Sequence, residues 1–152
     1  MKVLNVITRV YLQPNSLEPT IAFYEGLFCE TCRLRFPYPA MRLELAQVGC
    51  VLLIAGSPED LEPFRATRST FLVDSVDAFR LHLVQSGAQI LSPPKDVPTG
   101  RNMRVRHPDG LVVEYVEHTQ TTTKAASAQP GGEAGLAYSG LRPPSASPLP
   151  LR

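Results

Sequence analysis

Apolar positions change their spacing several times between the start of the chain and about residue 118, and those changes predict strands alternating with helices. Leu17, Ile21, Tyr24 and Leu27/Phe28 recur at helical spacing. Asn15-Ser16 supplies capping residues for that helix, and Pro19 is accommodated in its first turn. A second helix is predicted from Val76 to about Gln85, opened by Ser75 and closed by Ser86-Gly87. Apolar and β-branched runs at 5–12, 31–36, 41–48, 51–55, 69–73, 89–91, 102–106 and 111–116 read as strands. The order is β-α-β-β-β, stated twice.

Such a duplication is testable in the letters. Sliding the sequence so that Arg9 lies on Arg68 sets RVYLQPNSLE (9–18) over RSTFLVDSVD (68–77). Each segment has an arginine in or just before a strand, with a serine ahead of a helix seven residues later. The identity is thin, so the fit suggests a pseudo-repeat, with modules at about 3–60 and 61–118. From residue 119 to 152 apolar periodicity stops and Pro, Ser, Ala, Thr and Gly dominate. A segment of that kind buries too little apolar surface to offset its chain entropy, which predicts a disordered tail. A docking role for Leu149 and Leu151 is the other reading of it.

Composition narrows the possible functions. Hydrophobic residues make up 43% and charged residues 19% of the 152 residues, enough for a conventional core. The formal net charge is +1, with no basic run interleaved with aromatics, which argues against nucleic acid as a partner. The apolar stretch at 48–55 falls well short of the roughly 20 residues that span a bilayer. The first residues carry no sustained apolar leader, so a soluble, cytoplasmic protein is expected. Three cysteines do not make a disulfide framework. Cys29 and Cys32 have a metal or redox spacing without a second pair, and free thiols are the plainer reading.

The stretch HPDGLVVEY (107–115) places a turn ahead of an apolar strand that one carboxylate, Glu114, interrupts. Glu114 shares a strand face with Val112 and Val116, opposite Leu111, Val113 and Tyr115. If the latter face a helix, Glu114 faces a cavity, where a buried carboxylate needs a partner. Metal ligand, general base and charge partner are all open at this level. Arg9 and Arg68 are the candidate counter-charges, with Arg104 and Arg106 on a neighbouring strand. Arg101, Arg104 and Arg106 equally suit a solvent-facing strand. No Ser-His-Asp pattern, phosphate-binding glycine loop or dinucleotide fingerprint is present.

Three stretches carry a family resemblance. LEPTIAFYEGLF (17–28) resembles the "DLERAIAFYEDLLG" helix of the glyoxalase, bleomycin-resistance and extradiol-dioxygenase superfamily, the vicinal oxygen chelate proteins. TFLVDSVDAF (70–79) is similar to its "FEVDDVDA" signature, and HPDGLVVEY to its closing "DPDGNLIEL". The matches fall in the right order over most of residues 7–118. The resemblance implies an α+β fold of two tandem βαβββ modules, whose mixed sheet curls around a concave cavity. It also implies a homodimer.

In metal-dependent members, two residues that open strands, both histidines or a His and a Glu, combine with inward glutamates late in each half to hold a divalent ion. Carried over one position at a time, those ligands fall on Arg9, Arg68, a residue near Leu53 or Ala55, and Glu114. A guanidinium has no lone pair to donate, so only Glu114 retains a ligand type. His82, His107 and His118 do not occupy ligand positions. The expectation is a metal-independent binding protein of the bleomycin-resistance-like type, without cofactor, holding a polar or anionic small molecule through Arg9, Tyr11, Arg68, Arg104 and Glu114. The alternative is a divalent-metal lyase, isomerase or dioxygenase using Glu114. Tyr11, Phe36, Tyr38 and Met41 are candidate cavity-wall residues. The segment 36–39 reads as a loop or lid, and 93–100 as a stiff, proline-rich connection.

Overall fold

The computed structural model describes residues 1–97 and 100–118. The tail assigned to 119–152, with Leu149 and Leu151, lies outside the described residues. Eight strands, β1 (Val3–Leu12), β2 (Leu34–Tyr38), β3 (Leu43–Val48), β4 (Val51–Ala55), β5 (Thr67–Val73), β6 (Gln89–Val97), β7 (Gly100–Arg106) and β8 (Val112–His118), form one sheet. Three helices accompany them: α1 (Leu17–Phe28), α2 (Pro58–Leu61) and α3 (Val76–Gln85).

The sheet order is β2-β3-β4-β1-β5-β8-β7-β6. β1 pairs in parallel with β4, and β4, β3 and β2 follow antiparallel. β5 pairs in parallel with β8, and β8, β7 and β6 follow antiparallel. The two halves meet where β1 and β5 run antiparallel. The protein is therefore α+β, with the βαβββ unit repeated and joined into one curled, unclosed sheet.

Helices α1 and α3 cover one face of the sheet. Leu17 and Ile21 of α1 pack with Ala46, Val48, Val51, Leu53 and Ala55, joined by Tyr24 and Phe28. Val76 and Phe79 of α3 pack with Met103, Val105, Val113 and Tyr115. On the opposite, concave face, Ile7, Leu43, Leu45, Leu52, Ile54, Leu61 and Phe64 form a third apolar cluster. β4 is buried along its whole length because it contributes to both faces. Each fully buried Val, Leu, Ile, Phe or Met among them contributes about 1.5–3 kcal/mol relative to exposure.

Local chemistry sets the boundaries. Ser75 Oγ accepts the Ala78 N–H and opens α3, as the sequence predicts. Ser16 does not cap α1 with its side chain; Pro14–Ser16 is a 3-10 turn that runs directly into the helix, and the Ser16 carbonyl accepts the Thr20 hydroxyl. Helix α1 ends at Cys29, held in the left-handed region at φ 53° with its N–H on the Glu25 carbonyl. Helix α2 was not anticipated, although Ser57 caps it by accepting the Asp60 N–H.

Two connections predicted as loops are strands. Phe36, Pro37 and Tyr38 belong to β2, and Pro93, Pro94 and Lys95 belong to β6. Both are the outermost strands of the sheet, where an N–H on the outer side has no ladder partner to lose. The prolines therefore cost little there, and the β6 register is irregular between Ser92 and Lys95.

Candidate functional site

Alternation along the strands selects the residues of the concave face. Ile7 of β1 lies in the concave apolar cluster, so Arg9 and Tyr11 share its face. Val113 and Tyr115 pack against α3, which turns Val112, Glu114 and Val116 to the concave side. Met103 and Val105 do the same on β7, leaving Asn102 and Arg104 beside Glu114. Arg104 stands directly opposite Glu114 in the antiparallel register, and directly opposed residues share a face.

A buried polar cluster results. Arg9 donates through Nη2 to Glu114 Oε2 in a close ion pair, with side-chain exposures of 2% and 10%. Arg9 Nε donates to Thr70 Oγ1 at 2.9 Å, and Asn102 Nδ2 donates to Glu114 Oε1 at 3.3 Å. Both carboxylate oxygens are thus engaged by neighbours. That arrangement answers the question posed by Glu114: it is the charge partner that holds Arg9 in place. Burial works to lower the Arg9 pKa, but the Glu114 charge, followed by Tyr11, more than offsets it and the net shift is upward. The guanidinium therefore stays charged.

Tyr11 adjoins the pair at the edge of the apolar half, with its hydroxyl 2.6 Å from the carbonyl oxygens of both Phe64 and Thr67. Burial raises its pKa, and the nearby Arg9 charge works against the shift. The phenol is neutral at ordinary pH.

The arginines separate into distinct environments. Arg101 pairs with Asp77 of α3, and Arg106 is exposed and donates to Gln89. Arg104 is half-buried on the concave side; its Nε is fully buried and has no hydrogen-bond partner among the described residues. A buried, unsatisfied N–H costs about 1–3 kcal/mol, so such an atom calls for an explanation.

Arg68 does not join the cluster. The β5–β8 register shifts between Thr67 and Ser69, and Arg68 is the extra residue of that bulge, exposed to solvent. Thr70 takes the place against Arg9 that the pseudo-repeat assigns to Arg68. Arg68 remains near enough to bear electrostatically on the Tyr11 phenol, at the margin of the concave face.

The first-half position assigned to Leu53 or Ala55 is also corrected. Both residues face α1, while Leu52 and Ile54 face the cavity, with Leu52 registered beside Arg9 and Ile54 beside Tyr11. Thr70 and Asn102 were missed as members of the site. The alternation that exposes them was visible in the strands, but neither residue carries a charge to draw notice. Phe36, Tyr38 and Met41 do pack against the concave apolar cluster, as expected of wall residues.

The concave face is thus divided. It is apolar over β2, β3 and β4, and Arg9 of β1 joins Thr70, Glu114, Asn102 and Arg104 of the second module in a polar patch. A groove of about 680 Å³ opens where β1 begins and β8 ends, lined in part by Leu4, Leu72, Val97 and Val116.

Residues 6–115 match the model of the Glyoxalase/Bleomycin resistance protein/Dioxygenase superfamily. The chain belongs to this superfamily. Among solved structures, a hypothetical protein from Methanosarcina mazei is 51% identical, with 78% of this chain and 95% of that one covered and a TM-score of 0.68. The methylmalonyl-CoA epimerase of Mycobacterium tuberculosis is 16% identical over 77% of this chain and 89% of its own, with a TM-score of 0.56. That of Streptomyces coelicolor, in complex with 2-nitronate-propionyl-CoA, is 16% identical over 77% of this chain and 99% of its own, also with a TM-score of 0.56. The epimerase likenesses concern the fold. No protein of curated function matches the chain.

Superfamily membership raises the question of a metal, and the donor set answers poorly to one. Glu114 is already neutralised by Arg9, the adjacent first-half positions are Leu52 and Ile54, and Arg9 cannot donate a lone pair. Among the described residues no group of three or more His, Cys, Asp or Glu side chains is placed to hold an ion. His82 lies on α3, His107 makes a 2.8 Å hydrogen bond with the Tyr115 hydroxyl, and His118 ends β8. The cysteines are free thiols, with Cys29 and Cys50 exposed.

Proposed function

We propose that this member of the superfamily is a metal-independent binding protein of the bleomycin-resistance-like type, holding a polar or anionic organic molecule on the concave sheet. The supporting observation is the buried Arg9–Glu114 pair with Arg104 alongside it. Two arginines facing one carboxylate leave that cluster with a positive surplus, and a planar guanidinium suits a planar anion. The apolar face over β2, β3 and β4 offers a surface for the rest of such a molecule, in the usual manner of small-molecule sites. We also propose that the protein works as a homodimer, in keeping with the family resemblance.

The test is thermal unfolding of the full chain with EDTA, with Zn²⁺, Ni²⁺, Mn²⁺ or anaerobic Fe²⁺, and with a panel of organic anions. A ligand bound only by the native state raises its stability. Shifts from organic anions are expected, and none that EDTA reverses. An EDTA-reversible shift with one ion, lost in Glu114→Gln, would replace it with the metal-dependent alternative.

A further inference from the structure

The Arg9 and Arg104 guanidiniums differ in what they have left to offer. Arg9 spends Nη2 on Glu114 and Nε on Thr70, while Glu114 receives Arg9 on one oxygen and Asn102 on the other. Those charges cancel within the pair. Arg104 shares the face, lies in register with Glu114, and carries a buried Nε that no described residue accepts from. Among Arg9, Glu114 and Arg104 one positive charge is left over, and Arg104 bears it.

Arg104 stands opposite Glu114, and apolar side chains flank this polar cluster on the same face. Val112 and Val116 occupy the same face of β8, Leu72 that of β5 and Ile7 that of β1. Beyond them lie Leu52 and Ile54. Strands are spaced by about 4.8 Å, so β1 lies on the order of 14 Å from β7 along the sheet. One positive charge, with apolar side chains flanking the Glu114–Thr70 row over that distance, matches a molecule with one negative charge and an apolar body.

We infer that the ligand is an amphipathic organic monocarboxylate, an aryl or alkyl acid, whose carboxylate is received by Arg104 and whose apolar body lies across β8, β5 and β1. The inference rests on the binding function proposed above and makes it more definite. Glu114 has a second role in this arrangement. By cancelling Arg9 it removes one of the positive charges beside Arg104, which disfavours dianions such as phosphate. Its negative charge also holds the incoming carboxylate on the Arg104 side. Arg104 thereby determines which class of molecule binds, and Arg9 acts as a positioning residue through Glu114.

The experiment is calorimetric titration of the full chain with 3-phenylpropanoate, octanoate, the primary amides of both, and inorganic phosphate. Wild type, Arg104→Gln and Arg104→Lys are compared, with thermal unfolding to confirm that each variant is folded. At least one acid should bind, its amide at least tenfold more weakly, and phosphate not measurably. Arg104→Gln should remove the preference for acid over amide, and Arg104→Lys should restore part of it. An amide that binds as well as its acid would overturn the monocarboxylate inference and leave the wider binding function standing. Phosphate binding more tightly than the acids would overturn it as well, as would acid selectivity that survives in Arg104→Gln. Failure of every acid and amide, together with an EDTA-reversible metal shift, would overturn the binding function itself.

Discussion

Replacing Glu114 by Gln keeps the shape of the side chain and removes its charge, leaving the Arg9 guanidinium at 2% side-chain exposure beside a neutral amide. Stranding one member of a buried ion pair typically costs about 3–5 kcal/mol. Gln retains an oxygen that can accept from Arg9, which lowers the expected loss to about 2–4 kcal/mol. For a domain of this size each kcal/mol moves Tm by roughly 4 °C, so a fall of roughly 8–16 °C is expected. Urea unfolding should show the midpoint moving while the m-value holds. Removing both charges together, as Arg9→Met with Glu114→Leu, should recover most of the loss, because well-packed apolar residues commonly replace a buried pair at little cost. The cycle of Arg9→Met, Glu114→Leu and their combination should report a coupling well above the roughly 0.2–1 kcal/mol of exposed pairs. A loss below about 0.5 kcal/mol in Glu114→Gln would place the pair with such surface contacts, and the electrostatic account of the concave face would fail.

Other consequences can be checked separately. Burial pushes the Tyr115 hydroxyl from 10.0 up to about 12, so its contribution to stability is complete below pH 10 and disappears as pH rises toward 12. Tyr115→Phe should flatten that alkaline decline in pH-dependent unfolding, at a neutral-pH cost of about 1 kcal/mol for the bond to His107. Cys29 adopts φ 53°, where a side chain on Cβ is crowded; Cys29→Gly should gain up to about 1 kcal/mol in urea unfolding, whereas Cys29→Val should lose stability. A Cβ at Gly56 would sit 2.5 Å from Leu43 Cδ2, so Gly56→Ala should cost about 1–3 kcal/mol. Combining it with Leu43→Ala should give less than the sum of the two losses.

What the chain disclosed in advance depended on whether a short pattern or a distant partner made the decision. Ser75, the helical stripe of α1 and the run of β4 are local signals, and the structure follows them. The face of Glu114 was legible because strand alternation needs only the residues on either side of it. Arg68 was not, because a bulge is fixed by pairing with a distant strand and moves one residue out of sequence phase. Leu53 and Ala55 failed for a related reason: a family spacing uncertain by one residue selects the wrong face of a strand. Pro93 and Pro94 read as a loop because nothing in their neighbourhood shows that β6 ends the sheet.

Those prolines also govern how copies of the protein can meet. An unclosed sheet has two free borders, each a template for another extended chain. Here Pro37 stands on one border and Pro93 and Pro94 on the other, so neither offers an unbroken row of donors. A neighbouring molecule cannot readily extend the sheet strand by strand into a fibre. Association is steered to the faces and helices, and the open cup is kept without the polymerisation hazard that an open sheet ordinarily carries.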